Sequence, residues 1–309
     1  MRALIVGGNG FLGVSLVERL RLLGCSIKVL DARPPRADFD WQGVEYTVGA
    51  LADEAVLDMA LEGIEAVFHL ASTTVPGTSN ADPVFDVSSN LLGALKLMLA
   101  MQRHGIRRMV FFSSGGTVYG EPELLPVPEA HVLKPISSYG VVKVAIEDYL
   151  HMYHRLGQLD PLVVRPSNPY GARQAAGGLQ GAIAAFLAKA RTGEKVSIWG
   201  DGSIVRDYVY IDDLVELVAR AGLSDYCGVL NAGSGEGFSL NRLCEMIREV
   251  TGAALPVEYL PGRAYDVKEV VLDISRATEL FDWKPTTSLA DGISATWNAK
   301  FPTHLKTSH

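Results

Sequence analysis

Residues 3–13 read Ala-Leu-Ile-Val-Gly-Gly-Asn-Gly-Phe-Leu-Gly, an apolar run broken by glycines at Gly7, Gly10 and Gly13. The apolar part predicts a strand over Ala3–Gly8, and Val14–Leu23, with apolar residues three and four apart, predicts a helix. Glycines between such elements let the chain turn tightly, let backbone N–H groups approach a pyrophosphate, and let helix pack close to strand. The positive end of the helix then faces the phosphates. A purely structural turn would use glycine too; Asp31 favours the dinucleotide, because it ends the next apolar run about 20 residues on, where a carboxylate can bind the adenosine ribose. It points to NAD and disfavours the extra phosphate of NADP. Arg33 and Arg36 nearby would suit NADP or are solvated loop cations.

Working outward, Ser26–Asp31, Val44–Gly49, Ala66–Ala71 and Arg108–Ser114 repeat the short, nearly all-apolar strand pattern. Helical patterns at Val56–Leu61, Val87–His104 and Ser138–Leu156 fill most gaps. Strands of this kind separated by helices indicate a parallel sheet covered on both faces, a doubly wound Rossmann α/β fold over residues 1–166. After Val163–Pro166 the rhythm changes. A Gly/Pro/Asn-rich stretch to Gly181, helices at Ala182–Thr192, Ile211–Ala221 and Leu240–Thr251, and a strand pair at Val229–Gly233 and Val257–Leu260 describe a smaller α/β part. This part, 167–309, is where substrate recognition is expected, with some segments returning to pack on the sheet.

Among 309 residues, 48% are hydrophobic, enough for a sizeable core. The apolar runs predict no membrane span, and the start of the chain reads as a strand rather than a leader, which places the protein in the cytoplasm. Cys25, Cys227 and Cys244 have no metal-ligand spacing, so no metal is expected. A net charge of −7 excludes a nucleic-acid surface.

Tyr139-Gly-Val-Val-Lys143 follows Ser137-Ser138, a helix N-cap, so Tyr139 and Lys143 share one helix face. A tyrosine with an ordinary pKa near 10 is a poor base, but an adjacent ammonium and a cationic nicotinamide would both favour the phenolate and suit general-base work.

With GGNGFLG (Gly7–Gly13), VFHLAS (Val67–Ser72), Asn90-Leu-Leu-Gly93, SSGGTVYG (Ser113–Gly120), YGVVK (Tyr139–Lys143), RPSNPYGARQ (Arg165–Gln174), GDGSIVRDYVYIDD (Gly200–Asp213) and DWKP (Asp282–Pro285), the chain resembles the extended short-chain dehydrogenase/reductases. The likeness is to the NAD-dependent epimerase/dehydratase family, which includes UDP-sugar 4-epimerases, and covers nearly the whole chain. It implies Tyr139 and Lys143 as catalytic residues. It implies cofactor contacts from Gly7, Gly10, Phe11, Leu12, Gly13, Asp31, Leu51, Leu70, Ala71, Asn90, Ser113, Tyr139, Lys143 and Pro166, with Ala50 standing where the family carries an acid. For a nucleotide-sugar, UDP-linked first, it implies Thr74, Asn168, Arg206, Arg263, Asp266 and Val270; arginines suit the diphosphate through their planar fork. Val270, where relatives can carry tyrosine, would leave room for an enlarged sugar. The helices Val87–His104 and Ser138–Leu156 imply a homodimer.

Two departures narrow the reaction. Related dehydratases carry Asp-Glu where this chain has Gly116-Thr117, so an acid/base pair for eliminating water is missing and 4-epimerisation leads. Another nucleotide-sugar oxidoreductase or reductase, and a catalytically silent NAD-binding module, are the alternatives. The family's catalytic Ser/Thr is Gly115 here. If the segment is extended, Thr117 points to the same side as Gly115 and Ser114 away from it, making Thr117 the replacement hydroxyl ahead of Ser114.

Overall fold

The computed structural model describes residues 1–175, 181–262 and 267–302. In chain order the first half runs β1 (Arg2–Val6), α1 (Phe11–Leu22), β2 (Ser26–Asp31), β3 (Val44–Val48), α2 (Glu54–Leu61), β4 (Ala66–His69), α3 (Pro76–Ser79) and α4 (Pro83–Asp86). A π-helical turn (Val87–Leu91), α5 (Leu92–Arg103), β5 (Arg108–Phe112), α6 (Ser138–Arg155) and β6 (Asp160–Pro166) complete it. The second half holds β7 (Asn168–Tyr170), α7 (Ala182–Thr192), β8 (Val196–Trp199), β9 (Val205–Tyr210), α8 (Ile211–Gly222) and β10 (Gly228–Ala232). It ends with β11 (Gly237–Ser239), α9 (Leu240–Thr251), β12 (Val257–Leu260), β13 (Glu269–Val270), α10 (Ser275–Phe281) and α11 (Leu289–Lys300).

The apolar runs pair side by side in a seven-stranded sheet of order β3-β2-β1-β4-β5-β6-β10, parallel throughout. The order reverses between β1 and β4, and the crevice at such a switch point is where this architecture binds ligands. Leu16 and Leu20 of α1 and Leu214 and Leu217 of α8 are buried on one face, and Leu57, Leu97, Ile146 and Leu150 of α2, α5 and α6 on the other. Each such side chain contributes about 1.5–3 kcal/mol on burial, so the helical periodicity is spent on covering the sheet. The doubly wound Rossmann fold expected from the sequence is the fold observed.

A third core, around Tyr170, Ile183, Leu187, Ile198, Leu243, Ile247 and Ile293, holds the smaller sheets. There β9 pairs with β7, β11 and β13, and β8 with β12. The expected pairing of 229–233 with 257–260 does not form. β10 joins β6 and β12 joins β8, because the crossover helix α8 carries the chain back over the large sheet before β10 begins.

The helix expected over 87–104 starts earlier and contains the π-helical turn. Pro83–Arg103, 21 residues with mean hydropathy 1.4, has the length and apolarity of a membrane span, and 44% of it is buried inside the protein. Its Ala94, Leu97, Met98 and Met101 lie in the core between α2 and α6.

Candidate active site

The turn after β1 begins at Gly7, whose φ of +84° is open to glycine, and a Cβ there would lie 2.7 Å from the Ala71 nitrogen. At Gly13 a Cβ would come within 2.6 Å of Gly8 Cα, so α1 can cross this closely only with glycine. Gly10 caps α1 with no side-chain hydrogen bond, leaving the N–H groups of the first turn directed outward. Those N–H groups, the helix dipole and the cradle that a Cβ would fill fit a dinucleotide pyrophosphate. A cavity of about 850 Å³ opens there, lined by Gly7, Gly10, Phe11, Leu12 and Gly13 and reaching Leu70, Ser113, Tyr139, Lys143 and Pro166.

Asp31 is buried at the end of β2, where its carboxylate accepts the N–H groups of Asn9 and Arg33, both at 3.1 Å. Arg36 is turned onto Asp38 at 2.5 and 2.7 Å, and Arg33 lines the cavity with its Nε 3.6 Å from Asp31. Leu51, Ala71 and Asn90 lie behind the cavity wall. Leu51 and Ala71 pack on the core beside α2 and α5. Asn90 accepts the Thr73 N–H at 2.9 Å and donates to Thr74 Oγ1 at 3.0 Å, so it shapes the 73–74 segment.

Ser137 caps α6 by accepting the Gly140 N–H at 3.2 Å, while Ser79 Oγ accepts the Tyr139 N–H at 3.1 Å. The Lys143 ammonium donates to the Phe112 carbonyl at 2.7 Å and lies 5.5 Å from the centre of the Tyr139 ring. Burial draws the Lys143 pKa down to about 8 against the pull of Glu147 and Asp86. The protein's own groups do not lower Tyr139: burial first, and the Asp86 carboxylate second, push it up to about 12. The desolvated phenolate costs more than the ammonium on the next turn returns. His69, at the end of β4, is held down to about 3 by burial and by Lys143, so its imidazole is neutral.

Beneath these residues runs a buried polar chain. Ser113 Oγ donates to Glu147, which pairs with Arg165 at 2.5 Å; Arg165 donates to Tyr119 at 2.9 Å, and Tyr119 to Asn231 at 2.7 Å. It ties together β5, α6, β6 and β10. Arg165 is raised despite its burial, because Glu147 and Tyr119 favour its charge.

Residues 115–117 form a turn closed by Val118 N–H to Ser114 O at 3.1 Å, so strand alternation does not govern where their side chains point. A Cβ at Gly115 would meet Leu272 at 2.6 Å and Arg165 O at 3.0 Å, away from the cavity. Ser114 and Thr117 both line the cavity, and Thr117 Oγ1 is buried without a hydrogen-bond partner among the described residues.

On the other flank Thr74, Asn168 and Arg206 line the cavity. Thr74 donates to Asp86 at 2.7 Å, and Asn168 to Asp207 O at 2.8 Å. Val270 lies elsewhere. It is in register with Arg206, yet buried among Val118, Val127 and Leu272, so the expected room beside a sugar does not come from it. Arg263 and Asp266 lie outside the described residues.

The sequence reading missed Asp86 and Trp199. Trp199 lines the cavity from β8, where the alternation of buried Val196 and Ile198 with exposed Ser197 and Trp199 was the available signal. Asp86 is fully buried and accepts from Thr74, Asn90 and Ser138. Its spacing of four from Asn90 was legible, but its partners were not. Far from the cavity, His154, Asp160 and Cys227 come together, but Arg107 grips Asp160 at 2.8 and 2.9 Å and occupies it.

Comparison with known proteins agrees with this geometry. The sequence profile described as "NAD dependent epimerase/dehydratase family" matches residues 3–231. A UDP-glucose 4-epimerase of Mycolicibacterium smegmatis is 36% identical over 96% of this chain and 97% of its own length. The crystal structure of the Thermotoga maritima UDP-glucose 4-epimerase with UDP-glucose is 34% identical, with a TM-score of 0.91 over 97% of this chain and 98% of that one. The Thermus thermophilus enzyme in complex with NAD is 33% identical, with a TM-score of 0.92 over 98% and 100%.

Proposed function

The chain belongs to the NAD-dependent epimerase/dehydratase family, and from that premise we propose that it is a UDP-sugar 4-epimerase that works by transient oxidation of the sugar at C4. The observation that carries this reading is the cavity itself. It joins the glycine cradle to Tyr139, Lys143 and the unpartnered Thr117 hydroxyl, and presents Gly116 and Thr117 where elimination of water would require an acid and a base.

NAD, when bound, supplies a reversible two-electron acceptor. Gly7, Gly10, Phe11, Leu12 and Gly13 would hold its pyrophosphate, Asp31 its adenosine ribose, and Lys143 its second ribose. Tyr139 takes the proton of the sugar C4 hydroxyl on oxidation and returns it on reduction. Thr117 bridges that hydroxyl and the phenol, a hydrogen bond contributing about 1 kcal/mol. The positive charge that NAD would bring to the cavity would oppose the effect of burial on Tyr139 and favour its phenolate. Asn168 and Arg206, on the cavity wall, would hold the diphosphate and nucleoside, leaving the sugar held by its nucleotide.

Helices α4 to α6 leave Val84, Phe85, Leu92, Leu99, Val141, Tyr149 and Met152 exposed, a run of apolar side chains that supports a homodimer.

The test is to incubate purified protein with UDP-, GDP-, CDP- and dTDP-sugars and follow products by NMR. Interconversion of a UDP-hexose with its C4 epimer, without net consumption of NAD, is the expected result. Net reduction of a keto sugar at the expense of reduced cofactor would replace the reading with a reductase.

A further inference from the structure

Asn9 sits between the glycines of the phosphate turn, 8% exposed, with its backbone N–H and both side-chain polar atoms engaged. Its N–H donates to Asp31 Oδ2 at 3.1 Å, its Nδ2 donates to the Pro34 carbonyl at 2.9 Å, and its Oδ1 accepts the Arg36 N–H at 2.9 Å. A turn that only had to bend would need no side chain here. An amide that bonds one carbonyl and one N–H of the same stretch is a two-point fastening of residues 34–36.

The same stretch is held from its other side. Trp41 Nε1 donates to Arg36 O at 2.9 Å and the Tyr46 hydroxyl to Arg33 O at 2.8 Å. Phe39, Trp41 and Tyr46 pack edge to face with centroids 4.7 and 5.1 Å apart. From the second half of the chain Arg173 stacks over Phe39 at 5.6 Å and pairs with Glu18 of α1 at 2.6 Å. The stretch begins at Asp31, the ribose-reading position of this fold, and at Arg33 on the cavity wall.

We propose that residues 33–41 form a clasp over the adenosine end of the dinucleotide, latched to the phosphate turn by Asn9, and that this latch sets how slowly NAD leaves. The clasp rests on NAD being the resident cofactor and is independent of which sugar is inverted. Slow release fits a reaction that must return its electrons to the sugar that gave them. For the adenosine to escape, residues 33–36 have to lift, and Asn9 holds two of their backbone groups and Trp41 and Tyr46 one each.

The test follows radiolabelled NAD leaving the full-length enzyme under a chase of unlabelled NAD. Asn9→Ala, which deletes both side-chain bonds, is expected to speed release at least about tenfold. Trp41→Phe keeps the aromatic packing, deletes one bond, and is expected to speed release by less. Release from Asn9→Ala at the wild-type rate overturns the clasp. Circular dichroism checks that each variant is folded, and if Asn9→Ala is not, Trp41→Phe decides alone, unchanged release again overturning the proposal. Wild-type protein that takes up no labelled NAD would remove the cofactor premise as well, which separates that failure from failure of the latch.

Discussion

Asp86 and Ser138 are joined across two helices, the Ser138 hydroxyl donating to the Asp86 carboxylate at 2.7 Å. The other carboxylate oxygen takes Thr74 at 2.7 Å and Asn90 at 2.8 Å, so one buried acid fixes the cavity-lining 72–77 segment relative to the helix that carries Tyr139. Burial first and Asp86 second hold Tyr139 at about 12. Asp86→Asn keeps the shape and deletes the charge, so the phenolate becomes easier to form. In the proposed mechanism the base form of Tyr139 is the active one, so the acid limb of the kcat/KM profile should move to lower pH. A limb that stays in place would reduce Asp86 to a scaffold residue, in which case only Asp86→Ala should raise KM, by loosening Thr74.

Tyr139→Phe removes the proton acceptor and should lower turnover by at least about 100-fold with NAD binding retained. Thr117→Val keeps shape and deletes a cavity hydroxyl that is buried without a partner among the described residues. It should lower kcat much more than Ser114→Ala. The reverse ranking would transfer the role to Ser114, and two harmless substitutions would mean that Tyr139 works without a hydroxyl partner.

The sequence was most legible where local chemistry and tertiary structure ask for the same residue. Gly7 and Gly13 are needed both by the turn and by the crossing of α1, and Ser137 caps the helix it precedes. It was least legible where partners come from distant segments. The family resemblance implies a place beside the sugar for Val270, but the pairing of β13 with β9 turns it into the Val118–Leu272 cluster. Strand alternation would set Thr117 on the side of Gly115, but Gly115 and Gly116 fold the segment into a turn, and it is the unpartnered hydroxyl that supports the same residue. Lys143 alone does not acidify Tyr139, because burial is a property of the assembled fold and outweighs it.

Arg165 and Glu147 form a buried pair at 2.5 Å, with side chains 5% and 7% exposed. Breaking such a pair strands a charge, at about 3–5 kcal/mol, whereas replacing both partners by apolar residues costs much less. Arg165→Met should therefore lower the urea midpoint sharply, and Arg165→Met with Glu147→Leu should recover most of the loss. A double variant as unstable as the single one would show that Ser113 and Tyr119 depend on the ionic chain itself.

Asp31 is the residue expected to decide between NAD and NADP. Its carboxylate is 8% exposed and already holds two backbone N–H groups, so it cannot swing aside, and a 2′-phosphate would bring like charge into a partly desolvated site. The two arginines that could compensate are placed differently. Arg36 is committed to Asp38 at 2.5 and 2.7 Å, and Arg33 leans toward Asp31 with its Nε at 3.6 Å and 70% of its side chain in water, where an ion pair contributes at most about 1 kcal/mol. Calorimetry on cofactor-stripped enzyme should show NAD binding at least about tenfold more tightly than NADP, a difference of about 1.4 kcal/mol. Asp38→Ala releases Arg36 and should narrow that ratio, while Arg33→Ala should widen it. Equal affinity in the wild type would mean that Arg33 already outweighs Asp31, and Arg33→Ala would then be the variant that restores preference for NAD.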